Sequence, residues 1–368
     1  MSKCSRRSAL GAIAGMVACA ATAAPVLAGI REEEGLGVLA ARKGLLFGAA
    51  MMHGELALDS QSLFAREVRV ITPSNELKMT SVLRTPDQVD FTEADALIAF
   101  ADRQKLKVRG HTLIWNEYQP QWVYKLRKEE IAGLIDRYID LVCSRYRGRI
   151  HSWDVVNEPL ATDSSEKNWL HGGPYFGALG QDYIAHSLRR ARAADPTGRL
   201  FINETHTERD DSFGLRQRKR LLRLIDDLQH AGLPLDGVGL QGHLDPSAPF
   251  KPDGFMAFCD EIAKRNLEIQ ITELDVNDER FPDDIAARDA MVAETMSRFL
   301  NAALKCRAVK LVATWHLADN FSFPYRESVA KNPHAKRRPR PVLFDENLRR
   351  KLAWHAVARA ISDAPPRA

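Results

Sequence analysis

Cysteine is scarce in this chain. The 368 residues hold five, and Cys4 and Cys19 fall within the first 28. Cys143, Cys259 and Cys306 remain, an odd number set far apart, which excludes a dense disulfide framework. They read as buried thiols with at most one bridge. A surplus of one charge is also missing, since 52 Lys and Arg oppose 48 Asp and Glu for a net charge of +4. Residues 1–28 carry Lys3, Arg6 and Arg7 and no acid, so the remainder balances at +4 − 3 = +1. Such a balance does not suggest a nucleic-acid partner. No heptads and no low-complexity segment interrupt residues 29–368. No histidine–carboxylate group has metal spacing, so no metal and no cofactor are expected. His151, His171 and His186 read as surface or hydrogen-bonded core histidines.

The N-terminus has its own character. A short basic region is followed by an Ala/Gly-rich apolar stretch from Ala9 to about Ala24, closed by Val26-Leu27-Ala28. This is the layout of an export signal, too short and too rich in small residues for a membrane span. Ser5-Arg6-Arg7-Ser8 favours a twin-arginine address over an ordinary secretory one. A lipoprotein box at Met16-Val17-Ala18-Cys19 ranks below cleavage at Ala28. An exported protein, periplasmic or extracellular and with no membrane span, follows.

Residues 29–368 alternate between two patterns. Apolar or β-branched runs recur at 45–52, 68–75, 108–115, 152–158, 199–204, 237–243, 268–275 and 309–317. Helix-like segments lie between and after them, near 92–105, 129–145, 180–194, 212–231, 253–265, 282–305 and 347–361. Leu215, Leu221, Leu222, Leu224, Ile225 and Leu228 have the spacing of a half-buried helix. Eight strands alternating with helices predict an α/β fold, a single (β/α)8 TIM barrel. A doubly wound open sheet is the alternative, but no Gly-rich phosphate loop follows the first strand.

Polar residues then gather where the runs end: Asn75 and Lys78, His111 and Trp115, Asn157 and Glu158, Asn203 and Glu204, Gln241 and His243, Glu273 and Asp275, Trp315 and Asp319. One polar strand end is an ordinary loop start. Seven in succession, at the end of a barrel where active sites lie, point to a site.

Two of these residues form a candidate pair. Glycoside hydrolysis needs two carboxyl groups flanking one bond, and Glu158 and Glu273 each follow an apolar run. Burial and a second carboxylate nearby keep one protonated as the acid, while the other attacks. Alternation puts Glu273 and Asp275 on one face, and Gln241 and His243 on one face of the preceding strand. His243 can therefore bond Glu273 or Asp275 and keep Glu273 ionised. Glu273 is then the nucleophile and Glu158 the acid/base. Asn157 and Glu158 are neighbours, so a bulge or the strand's end must bring both to one side.

These residues resemble glycoside hydrolase family 10, the endo-β-1,4-xylanases, from about Leu45 to Ile361. The motifs are Gly110-His111-Thr112-Leu113-Ile114-Trp115, the run 153–159 reading WDVVNEP, Gly239-Leu240-Gln241-Gly242-His243-Leu244, and Ile271-Thr272-Glu273-Leu274-Asp275. The resemblance implies retaining double displacement, with Glu158 as acid/base and Glu273 as nucleophile. It implies that Asn157 and His111 grip the 2- and 3-hydroxyls of the cleaved sugar. Gln241, His243 and Asp275 would orient the glutamates, and Asn75 and Lys78 would hold sugars on the non-reducing side. Trp115 and Trp315 would form apolar walls. It also implies a cis bond at His111-Thr112. Xylan and xylo-oligosaccharides are the expected partners, and a monomer the expected state.

The chain departs from the family pattern at four places. Ser74 stands where Glu is usual, Asn116 where His is, Asn203-Glu204-Thr205-His206 where Asn-Asp-Tyr-Asn is, and Phe323 where a second Trp is. Ser74 and Phe323 leave open a retaining barrel glycosidase acting on another β-linked glucan or on short oligosaccharides. A silent sugar-binding protein is the reading from another class, opposed by retention of both glutamates. The insert Arg326 to Pro341 carries Lys331, Lys336, Arg337, Arg338 and Arg340. It reads as a solvated basic loop, with contact to glucuronate side groups of xylan as the sharper alternative. Trp153 and Trp169 read as packing residues.

Overall fold

A computed structural model describes residues 34–164 and 169–367. The export-signal reading falls on residues 1–28, outside the described ones. The strands are β1 Leu46–Met51, β2 Val70–Pro73, β3 Lys107–Gly110, β4 Ile114–Trp115, β5 Ser152–Asn157, β6 Arg199–Glu204, β7 Gly237–Leu240, β8 His243–Leu244, β9 Glu268–Val276 and β10 Val309–Thr314. All pair in parallel, and the β9–β10 pairing closes the sheet into a barrel. Two of its eight positions are split strands, β3 with β4 and β7 with β8.

Buried residues run almost unbroken along these strands, because the interior and the helical shell cover both faces. Large side chains need small neighbours at the same level. Gly110 lies in register with Trp153, and a Cβ there would come within 2.2 Å of the indole. Trp153, fully buried, donates to Asp195 Oδ2 at 2.9 Å, in keeping with a packing role. Trp169 is buried too, beneath the Arg223 guanidinium.

The shell helices form where the periodicity predicts them. Thr92–Gln104, Lys128–Arg145, Asp182–Ala194, Ser212–His230, Pro252–Lys264, Ile285–Ala303 and Leu352–Asp363 match the seven predicted segments within a few residues. Asp211 caps Ser212–His230 by accepting from Gly214 N at 2.8 Å. That helix buries Leu221, Leu224, Ile225 and Leu228, whereas Leu215, expected on the same stripe, is exposed. Short helices such as Ser60–Glu67 and Phe323–Lys331 carry too few turns to show a period, and the sequence gives no warning of them. The three described cysteines are buried and free.

Both strand breaks serve the barrel mouth. The run predicted over 108–115 is interrupted by the cis bond His111–Thr112. The run 237–243 is interrupted at Gly242, whose φ of 77° suits glycine. Simple alternation therefore does not link Gln241 to His243, although Gln241 reaches Glu158 and His243 reaches Glu273.

Candidate active site

Glu158 directly follows the last residue of β5 and adopts left-handed backbone, φ 51°. For a residue with a Cβ this conformation costs about 1–2 kcal/mol, and Glu158 N–H donating to Asn203 O at 2.8 Å helps to hold it. The turn resolves the alternation problem. The Gln241 amide donates to Glu158 Oε1 at 2.7 Å and, at 3.5 Å, to Asn157 Oδ1, so the neighbouring side chains meet one partner. Trp115 Nε1 donates to Glu158 Oε2 at 2.9 Å. Burial raises the Glu158 carboxyl above the usual range, outweighing the Gln241 hydrogen bond, and the Glu273 charge adds to the rise. That suits a group that must keep a proton.

Glu273 lies within β9 and is 4% exposed. Its Oε1 accepts from Asn203 Nδ2 at 2.7 Å, and its Oε2 lies 3.3 Å from His243 Nε2. Burial alone would raise this carboxyl. The His243 hydrogen bond and the nearby His111, His243 and Arg109 outweigh it and pull the group down to about 2. His243 Nδ1 lies 2.8 Å from Asp275 Oδ1. Burial opposes the imidazolium, but the Asp275 charge and the bonds to Asp275 and Glu273 hold it well above its usual range. A carboxylate kept ionised beside a histidine held protonated suits a nucleophile.

Beneath the pair lies a polar layer of which the sequence pointed only to His111 and Asn203. Arg109 and His111 Nδ1 share the Asp154 carboxylate, the latter at 2.8 Å. Asn203 Nδ2 also donates to Asn157 Oδ1 at 2.8 Å, while its Oδ1 accepts from Thr272 Oγ1 at 2.8 Å. Asn203 therefore ties Glu273 to Asn157. A signal existed: Arg109 and Asp154 are charges inside apolar runs, and buried charges demand partners.

The remaining expected residues join the same mouth. Lys78 Nζ donates to Asn75 Oδ1 at 3.2 Å and sits 5.2 Å from the Trp115 ring and 6.0 Å from that of Trp315. Burial lowers the Lys78 ammonium, opposed by Glu273 and Glu158. Trp315 lies edge-on to His111 at 5.3 Å and to His243 at 6.3 Å. All eleven site residues expected from sequence thus form one connected cluster. A cleft of ≈ 810 Å³ opens beside it, lined in part by His206, His243, Trp315 and Phe323, within the size range of ligand sites.

The glycosyl hydrolase family 10 model matches residues 35–360. This chain belongs to that family. It is 29% identical over 326 residues to a β-1,4-xylanase of Dictyoglomus thermophilum, covering 85% of this chain and 87% of that one. It is also 29% identical to endo-1,4-β-xylanase A of Phanerodontia chrysosporium, covering 88% and 76%. The crystal structure of xylanase 10B from Thermotoga maritima superposes with a TM-score of 0.78 at 28% identity, over 89% of this chain and 98% of the other.

Against the family pattern, the departures differ in place. Two are buried. Glu204 is buried and accepts from Leu160 N at 3.1 Å and Thr205 N at 2.9 Å, fastening the turn after Glu158. Asn116 is buried against Gly173. Of the other two, Phe323 lines the cleft and Ser74 is buried beside Asn75. Ser74 accepts from Asn75 Nδ2 at 3.3 Å, while the nearby Glu76 carboxylate is taken by His53 N and Asn75 N. Phe323 is 58% exposed at the start of its helix.

The solvated-loop reading of 326–341 needs correction. Part of it is the helix Phe323–Lys331, N-capped by Ser322. Arg340 clasps Asp289 at 2.7 Å, Arg337 pairs with Asp283 and donates to Asp278 O, and Arg338 donates to Asn332 O and Pro333 O. Lys331 pairs with Glu327 at 2.9 Å. These contacts hold part of the segment to the barrel or to itself, while Lys331 and Lys336 remain exposed and Lys331 and Arg337 line the cleft.

Proposed function

We propose that the chain is an exported, retaining endo-1,4-β-xylanase that acts as a monomer, with Glu158 as acid/base and Glu273 as nucleophile. The observation that carries the assignment is the opposite electrostatic setting of a half-buried Glu158 and a buried Glu273 in one mouth. In the first step Glu273 attacks the anomeric carbon as Glu158 gives its proton to the departing glycosidic oxygen. A glycosyl ester on Glu273 results. In the second step Glu158, now ionised, takes a proton from water. The water oxygen attacks the same carbon, and the Glu273 carboxylate leaves.

The surrounding residues support this division of labour. Gln241 and Trp115 hold the two oxygens of Glu158. His243, backed by Asp275, keeps Glu273 charged. Asn157 and His111, anchored on Asn203 and Asp154, are set to bind hydroxyls of the cleaved sugar. Asn75 and Lys78 would grip the next sugar, with Trp115 and Trp315 as apolar walls. For export, the support is the composition of residues 1–28.

Residues 29–368 incubated with glucuronoxylan, linear xylo-oligosaccharides and mixed-linkage glucan, with Glu273→Gln as the blank, test the reading. Short xylo-oligosaccharides absent from the blank are expected. Products from glucan alone, or from none of the three, would overturn it.

A further inference from the structure

Of the described non-glycine residues with left-handed backbone, His316 alone is buried, at φ 75° and 0% exposure. A side chain with a Cβ is disfavoured in that conformation. Neither ring nitrogen has a hydrogen-bond partner, so its burial is costly as well. Nδ1 lies 3.5 Å from Oε2 of Glu55, a carboxylate only 1% exposed. Glu55 belongs to the turn after β1 and His316 follows β10, so the two meet where these paired strands end. Backbone strain of this kind persists chiefly beside functional sites, and the residue before His316 is Trp315. The Trp315 backbone N–H donates to Leu274 O at 3.1 Å, next to Glu273. Its indole meets the His316 ring at 6.0 Å and a steep tilt of 63°, and meets His111 and His243 edge-on. Three imidazoles thus set the angle of the Trp315 wall, and of these His316 is the one outside the catalytic cluster.

We propose that His316 is a positioning residue that fixes the tilt of the Trp315 wall against the sugar being cleaved, and so acts on turnover more than on binding of the chain. It rests on the xylanase reading above, in which Trp315 bounds that sugar. The sugar distorts as its glycosidic bond breaks, so a wall held at one angle can favour the distorted ring over the resting one. His316 supplies bulk against which the indole cannot swing. Its left-handed backbone turns the imidazole to that place, where a glycine would suit the backbone but leave the space open.

The test compares His316→Gly with the parent protein on xylohexaose, alone and in a Trp315→Ala background, with the thermal midpoint followed in parallel. Glycine suits φ 75°, so the fold is expected to persist. His316→Asn, which also tolerates left-handed backbone, takes its place with the same expectation if the glycine variant does not fold. His316→Gly is expected to lower kcat by about tenfold, with KM changed by no more than about twofold. In the Trp315→Ala background the same change should add a loss of no more than about twofold, because the group through which His316 acts is gone. An equal loss in both backgrounds, a loss carried by KM, or a lower thermal midpoint with unchanged kcat would leave His316 a purely structural role and overturn the proposal. A parent protein inactive on xylohexaose would instead bring down the xylanase reading itself.

Discussion

On the β5 side of the barrel mouth, Glu158 is held by neutral donors, the Gln241 amide and the Trp115 indole. On the β9 side, Glu273 meets the Asn203 amide and His243, with His111 Nδ1 at 4.0 Å. Burial raises the pKa of both carboxyls. What differs is the charge of the company. Neutral donors leave burial in command at Glu158, whereas imidazoles and the Arg109 guanidinium reverse it at Glu273. One residue type thus supplies a proton donor and a nucleophile without any difference in its own chemistry.

The comparison can be broken most completely at Glu273. Glu273→Ala should lower turnover on every substrate by roughly 10⁴-fold or more, measured as initial rates. Glu158→Ala should cost roughly 10²–10⁴-fold on xylan. It should spare glycosylation where the leaving group needs no proton, as with activated aryl xylosides. Equal damage on both substrates would remove the acid assignment.

Smaller changes sharpen the contrast through pH. Activity requires Glu273 ionised and Glu158 protonated, so Glu273 sets the acidic limb and Glu158 the basic one. His243→Asn removes the partner that lowers Glu273, so the carboxyl rises and the acidic limb of kcat/KM moves to higher pH. An unmoved limb would mean that His243 does not control that charge. Trp115→Phe keeps a ring but removes the N–H that lowers Glu158. The Glu158 carboxyl then rises and the basic limb shifts upward, by up to about one pH unit. A downward shift would show that the indole acts by some other route.

Strand and helix patterning exposed the barrel because buried parallel strands leave continuous apolar runs, and each polar strand end stood out against them. The catalytic candidates were legible for the same reason. The hub beneath them was less so: Asn203 was visible as a strand end, but its bonds to Asn157, Glu273 and Thr272 depend on the register of β5, β6 and β9. The left-handed backbone of Glu158 was legible only as a need for some irregularity, since alternation forbade what the chemistry required. Gly242 breaks a strand that the pattern had continued, and Gln241 and His243 converge for a reason alternation did not supply. The basic insert misled because charge reads as solvation until its partners are known. Asp289 and Asp283, far from it in sequence, are those partners for Arg340 and Arg337.

The division of labour between the two glutamates is tested most directly by trapping the covalent intermediate. A 2-deoxy-2-fluoro-β-xylobioside with an activated leaving group should glycosylate quickly and hydrolyse slowly, and peptide mass mapping then locates the sugar. An adduct on Glu273 is the predicted result. An adduct on Glu158 or another residue would contradict the assignment, and turnover with no adduct and inverted product would contradict double displacement altogether.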